Sequence, residues 1–246
     1  MLDDKTVLVT GASRGVGWAT ARACAEAGAK VIIHFNVNQD TALDLAKEVG
    51  AAGCIAADLS EPGAADRLWL QARTMAGGRI DSLVNNAGIY RATPLGDAGA
   101  WTSGWAEQFQ VNVLAACELM RNAINDWGKA GGGAIVNIAS RAAYRGDGPD
   151  HAGYAASKGA LVAAAKTLAR AHAPDNVLIY TLTPGWIETD MAPHRVEARA
   201  RAVAEIPLGR VAQPQEIAAM TAFLLSGQCA SATGSVIDIN GASFMR

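Results

Sequence analysis

Short apolar runs rich in β-branched residues recur along the chain, and each is followed by a longer stretch rich in alanine. Nearly continuous apolar runs of about four to eight residues are typical of strands covered on both faces, so they predict a parallel sheet. The predicted strands are Thr6 to Thr10, Val31 to Phe35, Gly53 to Ala57, Ser82 to Val84, Ala134 to Ala139, Val177 to Thr181 and Ser235 to Ile239. The predicted helices lie near Val16 to Ala27, Asp40 to Val49, Ala64 to Ala76, Trp105 to Trp127, Tyr154 to Ala171 and Gln215 to Ser226.

This alternation predicts an α/β fold with a single doubly wound parallel sheet of seven strands and helices on both faces. Because crossovers between parallel strands are right-handed, we expect the strand order 3-2-1-4-5-6-7. No repeat or linker interrupts the pattern, so residues 1–246 are predicted to form one domain. The long connection from Ile187 to Val211 holds a short charged helix and is predicted to be a substrate loop.

Composition and charge exclude several classes of partner. The formal charge of −2 predicts neither a nucleic-acid surface nor a basic membrane patch. No apolar run approaches the roughly 20 residues of a membrane span, and the acidic start is unlike a signal peptide. The cysteines have no metal-ligand spacing and predict reduced thiols in a cytoplasmic protein without a metal site. They are Cys24, Cys54, Cys117 and Cys229.

A glycine-rich turn, Thr10-Gly-Ala-Ser-Arg-Gly-Val-Gly17, follows the first predicted strand and opens the first predicted helix. Glycine at 11, 15 and 17 permits positive φ and a close backbone approach to a pyrophosphate at the helix N-terminus. The spacing differs from Gly-x-Gly-x-x-Gly, and such a turn can also be a simple tight connection. Its position between a strand and a helix favours dinucleotide binding.

Tyr154 and Lys158 lie four residues apart in a predicted helix, and therefore on one face of it. An ammonium group beside a phenol lowers the phenol pKa from about 10, which lets a tyrosine exchange a proton with an alcohol oxygen near neutral pH. Ser140 ends an apolar run fourteen positions upstream of Tyr154. Each residue also has a plain interpretation, as a solvated helix pair and a turn residue at a strand end.

These motifs occur together with Asn85-Asn-Ala-Gly88, Asn112 and Pro184-Gly185, in the order found in short-chain dehydrogenases/reductases. The chain resembles that family from Lys5 to about Gly241. Within the family, Pro184-Gly-Trp-Ile-Glu-Thr-Asp-Met191 and Ile206-Pro-Leu-Gly-Arg-Val-Ala-Gln-Pro-Gln-Glu-Ile217 are similar to segments of 3-oxoacyl-[acyl-carrier-protein] reductases. The resemblance implies a Rossmann fold and an NAD(P)-dependent oxidoreductase that moves a hydride between nicotinamide and a carbonyl or secondary alcohol.

The resemblance also implies roles for single residues. Tyr154 would be the general acid in reduction or the base in oxidation, and Lys158 would lower its pKa and hold the nicotinamide ribose. Ser140 would bind the substrate oxygen, and Asn112, otherwise an ordinary polar helix residue, would hold a water that links Lys158 to solvent. Asp58 would accept from the adenine amino group, although Asp58 or Ser60 could also cap the next helix. The implied cofactor-binding residues are Gly11, Ser13, Arg14, Gly15, Val16, Gly17, Asn36, Asp58, Leu59, Asn86, Ala87, Gly88, Tyr154, Lys158, Pro184, Gly185, Ile187 and Thr189.

The end of the second strand bears on the choice of cofactor. NAD-preferring relatives place an acidic residue there, which pairs with the ribose 2′-hydroxyl. This chain has no carboxylate between Ile33 and Asp40. Arg14 can pair with a 2′-phosphate, with Ser13 and Asn36 as hydrogen-bond donors. We therefore expect NADP(H) to be preferred to NAD(H).

The substrate is less constrained, because the chain departs twice from the acyl-carrier reductases. The segment between Ser140 and Tyr154 is one residue longer and more polar than theirs, and the acidic residue that often follows Asn86-Ala-Gly88 is missing. Tyr90 and Trp186 are predicted aromatic walls near the nicotinamide. The polar side chains of the longer segment either line a pocket for a hydroxylated or acidic small molecule or contact solvent or another subunit. They are Arg141, Tyr144, Arg145, Asp147 and His151.

Three functions are therefore weighed: a 3-oxoacyl reductase, a sugar, polyol or keto-acid dehydrogenase using NAD(H), and a nucleotide-sensing regulatory protein. The intact acid–base set favours an enzyme. The helix from Tyr154 carries alanine and glycine on more than one face and little charge before Lys166, so a partner subunit is expected to cover it, beside Leu114, Cys117 and Leu119. In the family such helices pack against symmetry mates, and a segment like that near Phe244 meets another subunit, which implies a homotetramer.

Overall fold

The computed structural model describes residues 1–128, 130–189 and 195–246. The strands are β1 (Thr6–Val9), β2 (Lys30–Phe35), β3 (Gly53–Ala56), β4 (Ser82–Asn85), β5 (Gly133–Ile138), β6 (Val177–Pro184) and β7 (Val236–Ile239). The α-helices are α1 (Gly15–Glu26), α2 (Gln39–Val49), α3 (Ala64–Met75), α4 (Ala98–Phe109), α5 (Ala116–Trp127), α6 (Ala142–Arg145), α7 (Ala152–His172), α8 (Val196–Ala204) and α9 (Pro214–Leu225). Single turns of 3₁₀-helix cover Pro149–His151, Ala173–Asp175 and Ala230–Ala232.

The strands form one parallel sheet in the order β3-β2-β1-β4-β5-β6-β7, which confirms the predicted fold class and strand order. Successive strand side chains point to opposite faces, so the apolar runs supply two separate cores. One core packs strand residues against α3, α5 and α7, and its strand members include Leu8, Ile32, Leu83, Ile135 and Ile179. The other packs against α1, α2 and α9, and its strand members include Val7, Ile33, Val84, Val136 and Leu182.

Three elements differ from the sequence prediction. The sixth strand continues to Pro184, three residues beyond the predicted end. The helix predicted from Trp105 begins at Ala98 and is interrupted by a π-helical segment over Gln110–Ala115. The polar segment after Ser140 contains α6 and a 3₁₀ turn, which no periodic pattern predicts in so short a stretch.

The predicted substrate loop, 187–211, is described on both sides of residues 190–194. Those residues, including Asp190 and Met191 of the reductase-like segment, lie outside the described part of the chain. Ile187 pairs with Ala212 in a parallel bridge, and Arg199 of α8 forms an ion pair with Glu188. The described parts of the loop are therefore anchored beside the end of β6. Among the described residues, none of the helices has the length and apolar character needed to cross a bilayer.

Candidate active site

A cleft of about 600 Å³ is lined by the segments that follow the carboxyl ends of the strands, where open α/β sheets bind ligands. Its lining includes Asn36, after β2, and Tyr154, on α7. Every residue predicted from the sequence as catalytic or cofactor-binding lines this cleft except Gly17 and Asn112. The fold thus brings together side chains that are far apart along the chain.

The glycine turn between β1 and α1 depends on two close approaches. Gly11 has φ +62°, and a Cβ at this position would lie 2.9 Å from the Cα of Ala87. A Cβ on Gly17 would overlap the carbonyl oxygen of Gly11 and lie 2.6 Å from Nδ2 of Asn86. Gly17 therefore lies beneath the turn and lets α1 begin against it, rather than lining the cleft. The first residues of α1 do line the cleft, which fits a pyrophosphate at a helix N-terminus.

Buried hydrogen bonds connect this turn to the end of β4. The Thr10 hydroxyl donates to the carbonyl of Val84 (3.1 Å) and accepts from the backbone N–H groups of Asn86 (2.9 Å) and Ala87 (3.0 Å). The Asn86 side-chain amide donates to the carbonyls of Thr10 (2.8 Å) and Gly11 (3.0 Å). Asn86 therefore holds the turn and shapes this end of the cleft, which we call the nucleotide end because the sequence predicts dinucleotide binding there.

His34, which the sequence analysis did not identify, fixes the other side of the turn. Its Nδ1 accepts from the backbone N–H of Gly11 at 3.0 Å, and its Nε2 lies 3.0 Å from the carbonyl of Ala57, to which it donates. Burial lowers the pKa of His34 to about 4, so the ring is neutral at physiological pH. The only sequence signal was a single histidine within an apolar strand, and nothing in the sequence linked it to the glycine turn.

The end of the cleft that is predicted to hold adenosine is lined by Ser13, Arg14, Asn36 and Asp58. Among the described residues between β2 and α2 that line it, none is acidic, as the sequence predicts. These side chains offer a cation and several hydrogen-bond donors, which are suited to a phosphate on the adenosine ribose.

Asp58 does not cap a helix. Its Oδ1 accepts from the Ser60 backbone N–H (2.9 Å) and hydroxyl (2.7 Å), and these bonds hold the Asp58 pKa below its usual range. Helix α3 begins only at Ala64, after Gly63 in the left-handed region, so the capping alternative for Asp58 and Ser60 is wrong. The contact of Asp58 with adenine stays a prediction.

The predicted acid–base residues meet at the other end of the cleft. Because α7 is helical from Ala152, Tyr154 and Lys158 are one turn apart, and the Lys158 Nζ lies 5.9 Å from the centre of the Tyr154 ring. Lys158 donates to the carbonyl of Ile138 at 2.9 Å, which fixes its position against β5. Ser140 lies two residues after the end of β5, and its Oγ accepts from the backbone N–H of Ala142 at 3.1 Å.

Burial dominates the electrostatics of this pair. It raises the pKa of Tyr154 to about 12, with a smaller lowering from the Ser140 hydroxyl and a smaller raising from the Asp147 carboxylate. Burial also lowers the pKa of Lys158 to about 8. The pKa of Tyr154 is therefore raised overall and not lowered as expected, because burial outweighs the effect of the Lys158 charge. The phenol is protonated at neutral pH, which is the form that donates a proton to a carbonyl oxygen.

Asn112 lies in the π-helical segment behind the cleft, not in its lining. Its Oδ1 accepts from the backbone N–H of Ile89 (2.8 Å), and its Nδ2 donates to the carbonyl of Ile89 (3.0 Å) and to the Ser157 hydroxyl (3.0 Å). The side chain thus joins the segment after β4 to α7. π-helical turns are frequent at functional sites. The role of Asn112 in holding a water that links Lys158 to solvent stays a prediction.

The polar segment between Ser140 and Tyr154 divides into two groups. Arg141, Arg145 and Asp147 line the cleft, as the pocket interpretation predicts. The pocket interpretation is wrong for Tyr144 and His151. Tyr144 stacks on Phe244 near the C-terminus, with ring centres 6.3 Å apart, and His151 stacks on Tyr90 with ring centres 3.9 Å apart.

Both predicted aromatic residues belong to the cleft lining, and an unpredicted anion outside that lining pairs with two of its arginines. Tyr90 and Trp186 both line the cleft. Glu205, just after α8, lies 2.9 Å from Arg145 and 3.6 Å from Arg141, so a carboxylate from the substrate loop holds both guanidinium groups. No local pattern links Glu205 to these arginines, because the contact arises only from the fold.

Comparison with known proteins identifies the family. A family model described as enoyl-(acyl carrier protein) reductase matches residues 11–242. The chain belongs to this family of short-chain dehydrogenases/reductases. It is an NAD(P)-dependent oxidoreductase of the Rossmann fold, and both predictions are thereby confirmed.

Individual relatives span nearly the whole chain. The 3-oxoacyl-[acyl-carrier-protein] reductase FabG of Vibrio cholerae is 35% identical over 99% of this chain and 99% of its own. A blue fluorescent protein from a metagenomic library, solved in complex with NADPH, has a TM-score of 0.93 at 32% identity and covers 99% of both chains. A putative NAD(P)-dependent gluconate 5-dehydrogenase from Beutenbergia cavernae, with bound NADP, has a TM-score of 0.89 at 32% identity over 98% of this chain and 97% of its own.

Proposed function

We propose that the protein is an NADP(H)-dependent oxidoreductase that transfers a hydride between nicotinamide and a carbonyl or secondary alcohol, with Tyr154 as the general acid or base. The observation that carries this function is one cleft lined by the glycine turn at one end and by Ser140, Tyr154 and Lys158 at the other. A bound dinucleotide supplies or accepts the hydride. The residues of the chain bind it, orient the substrate and move the proton.

Proton transfer follows from the positions of three side chains. Tyr154 is protonated at neutral pH and therefore donates its proton to the oxygen of a carbonyl as that carbonyl is reduced. Ser140 interacts with the Tyr154 phenol, and a hydrogen bond from its hydroxyl to the substrate oxygen would stabilise the charge that develops there. Lys158 places a positive charge behind the phenol, which favours the tyrosinate that remains after the proton has left.

The preference for NADP(H) rests on the adenosine end of the cleft. Arg14, Ser13 and Asn36 offer a cation and hydrogen-bond donors to a 2′-phosphate, and no carboxylate after β2 opposes it. The blue fluorescent protein carries NADPH and the putative gluconate 5-dehydrogenase carries NADP, which supports the same preference here.

Two substrate classes compete. The similarity to FabG favours a 3-oxoacyl thioester. The charged and polar cleft wall at Arg145 and Asp147 favours a small polar carbonyl instead. The alternative of a regulatory protein that only binds nucleotide predicts binding without turnover, and membership of an oxidoreductase family argues against it.

Steady-state assays with NADPH and NADH test this proposal. Substrates would include simple ketones, hydroxyketones, sugars, keto acids, acetoacetyl thioesters and an enoyl thioester. We expect turnover of at least one carbonyl class, with NADPH used better than NADH. Tight NADPH binding without turnover of any substrate would favour the regulatory protein, and turnover of the enoyl thioester alone would contradict carbonyl reduction.

A homotetramer and a cytoplasmic location stay predictions. Leu114 is 50% exposed and Met245 is 79% exposed, so apolar surface is available beside α5 and at the C-terminus. Leu119, in contrast, is 1% exposed and packs inside the subunit, so it cannot contribute to an interface. Light scattering at micromolar concentration should give a tetramer mass, and a monomer would contradict the prediction. The four free cysteines fit a reducing compartment.

A further inference from the structure

The cleft wall next to Tyr154 carries charged side chains, which an acyl chain does not require. Arg145, Gly146 and Asp147 form this wall together with Tyr90, and Arg145 and Asp147 are solvent-exposed. A fatty acyl chain gains binding energy from apolar surface, whereas exposed charges on the wall must give up hydration to contact it. Polar substrate groups would replace that hydration by hydrogen bonds.

Tyr90 is held in place on two sides. Its ring stacks on His151 with centres 3.9 Å apart and planes 10° apart. It meets the Tyr154 ring nearly at a right angle, at 87°, with centres 4.7 Å apart. Tyr90 is therefore in direct contact with the proposed acid–base residue, and its position is set by the loop that carries His151.

That loop is fastened to the segment after β4. The Thr93 backbone N–H donates to the carbonyl of Asp150 at 2.6 Å, and the His151 Nδ1 lies 3.3 Å from the carbonyl of Arg91. Asp147 lies at the start of the same loop, and its Oδ1 accepts from the backbone N–H of Gly148 at 2.8 Å. The carboxylate is therefore positioned at the cleft before any substrate arrives.

Asp147 acts electrostatically on both tyrosines. Together with burial, its carboxylate raises the pKa of the Tyr90 phenol, with which it interacts, and it contributes to the raised pKa of Tyr154. An ionised carboxylate only accepts hydrogen bonds, so Asp147 selects for donors such as hydroxyl groups.

The balance of charges in and beside this wall also indicates the net charge of the substrate. Arg141 and Arg145 are both held by Glu205, and Asp147 supplies a second carboxylate. Two cations and two anions leave no excess charge in this group. The balance favours a neutral ligand over a carboxylate or phosphate ester.

We propose that Asp147, positioned by Tyr90, is a specificity-determining residue that accepts a hydrogen bond from a substrate hydroxyl close to the reacting carbon. The substrate is then a small neutral hydroxyketone in one direction and a polyol in the other. This inference rests on the proposed function and names the substrate class of the same site.

Paired substrates and matched variants test the proposal. The pairs are a hydroxyketone and the ketone that lacks the hydroxyl, for example 1,3-dihydroxyacetone with acetone and acetoin with 2-butanone, alongside an acetoacetyl thioester. Asp147→Ala should lower kcat/KM for the hydroxylated member by roughly 10- to 100-fold, the size of one hydrogen bond to a charged group. It should lower kcat/KM for the plain ketone much less and leave the NADPH dissociation constant nearly unchanged. Asp150→Ala is the control, because Asp150 lies in the same loop, is exposed and does not line the cleft.

A pH profile separates this role from a merely structural one. The Asp147 carboxylate raises the pKa of Tyr154. In Asp147→Asn the fall in rate at high pH should therefore occur at a lower pH, and in Asp150→Asn it should not move. Tyr90→Phe should weaken discrimination between the paired substrates in the same direction as Asp147→Ala. Wild-type preference for the plain ketone or the thioester, or an equal loss on both members of a pair, would overturn the proposal while leaving the proposed function standing. No turnover of any carbonyl would overturn both.

Discussion

At the nucleotide end of the cleft, Thr10 and His34 are 1% and 2% exposed, and their side chains bond to backbone groups of the glycine turn and its neighbours. At the substrate end, Arg145, Asp147 and Glu205 are exposed, and Arg145 and Glu205 bond to each other through side chains. Bonds to backbone fix the course of the chain, whereas exposed side-chain pairs can change without altering it. The first end is therefore suited to one constant ligand and the second to adjustment of substrate choice.

The largest effect in this comparison should come from Tyr154, which belongs to the substrate end. Tyr154→Phe removes the proton-transfer oxygen and leaves the nucleotide end intact, so turnover should fall by ~10²–10⁴-fold while NADPH binding persists. Stopped-flow hydride transfer and fluorescence titration of NADPH measure the two quantities separately. Tyr144→Phe is the control, since Tyr144 packs on Phe244 outside the cleft. Retention of most activity by Tyr154→Phe would remove Tyr154 from the mechanism.

His34 should make the stability of the nucleotide end sensitive to acid. Its folded-state pKa of about 4 lies below the ordinary value of 6.5, so its contribution is complete above about pH 6.5 and is lost as pH falls towards 4. Burial causes the shift, and the hydrogen bond to the Ala57 carbonyl and the Asp58 carboxylate already reduce it to this value. A net shift of this size corresponds to roughly 3 kcal/mol of unfolding free energy. Urea unfolding of wild type and His34→Gln from pH 7 to pH 4 measures it. The difference between the two proteins should change across that range, and a constant difference would contradict the prediction.

The two ends also differ in how far the sequence could predict them. The glycine turn and Asn36 could be placed because ligand-binding residues follow the strand ends, and the apolar runs located those ends. The stacking of Tyr90 on His151 and the ion pair of Arg145 with Glu205 join segments that are distant along the chain. Neither contact produces a periodic pattern in the sequence, so both can be seen only in the folded structure. The bond from His34 to Gly11 was missed for the same reason.

Thr10 tests whether backbone bonding holds the nucleotide end. Thr10→Val keeps the shape of the side chain but leaves the Ala87 backbone N–H without its hydroxyl acceptor. We expect a loss of about 1–3 kcal/mol of unfolding free energy and weaker NADPH binding. Thr10→Ser keeps the hydroxyl and should lose much less. Equal stability of the Val and Ser variants would show that the hydroxyl does not support the turn.

The smallest expected effect concerns the choice between the two nicotinamide cofactors. Asn36→Asp combined with Arg14→Ala adds a carboxylate beside the adenosine ribose and removes the cation, so a 2′-phosphate should be repelled and a free 2′-hydroxyl accepted. The ratio of kcat/KM for NADPH to that for NADH should fall at least tenfold, about 1.4 kcal/mol. Gln39→Asp is the control, because Gln39 begins α2 close by but does not line the cleft. An equal shift in the control would mean that overall charge, rather than contact with the ribose, decides the preference. Wild-type enzyme that already used NADH tenfold better than NADPH would contradict the assignment of this end to NADP(H).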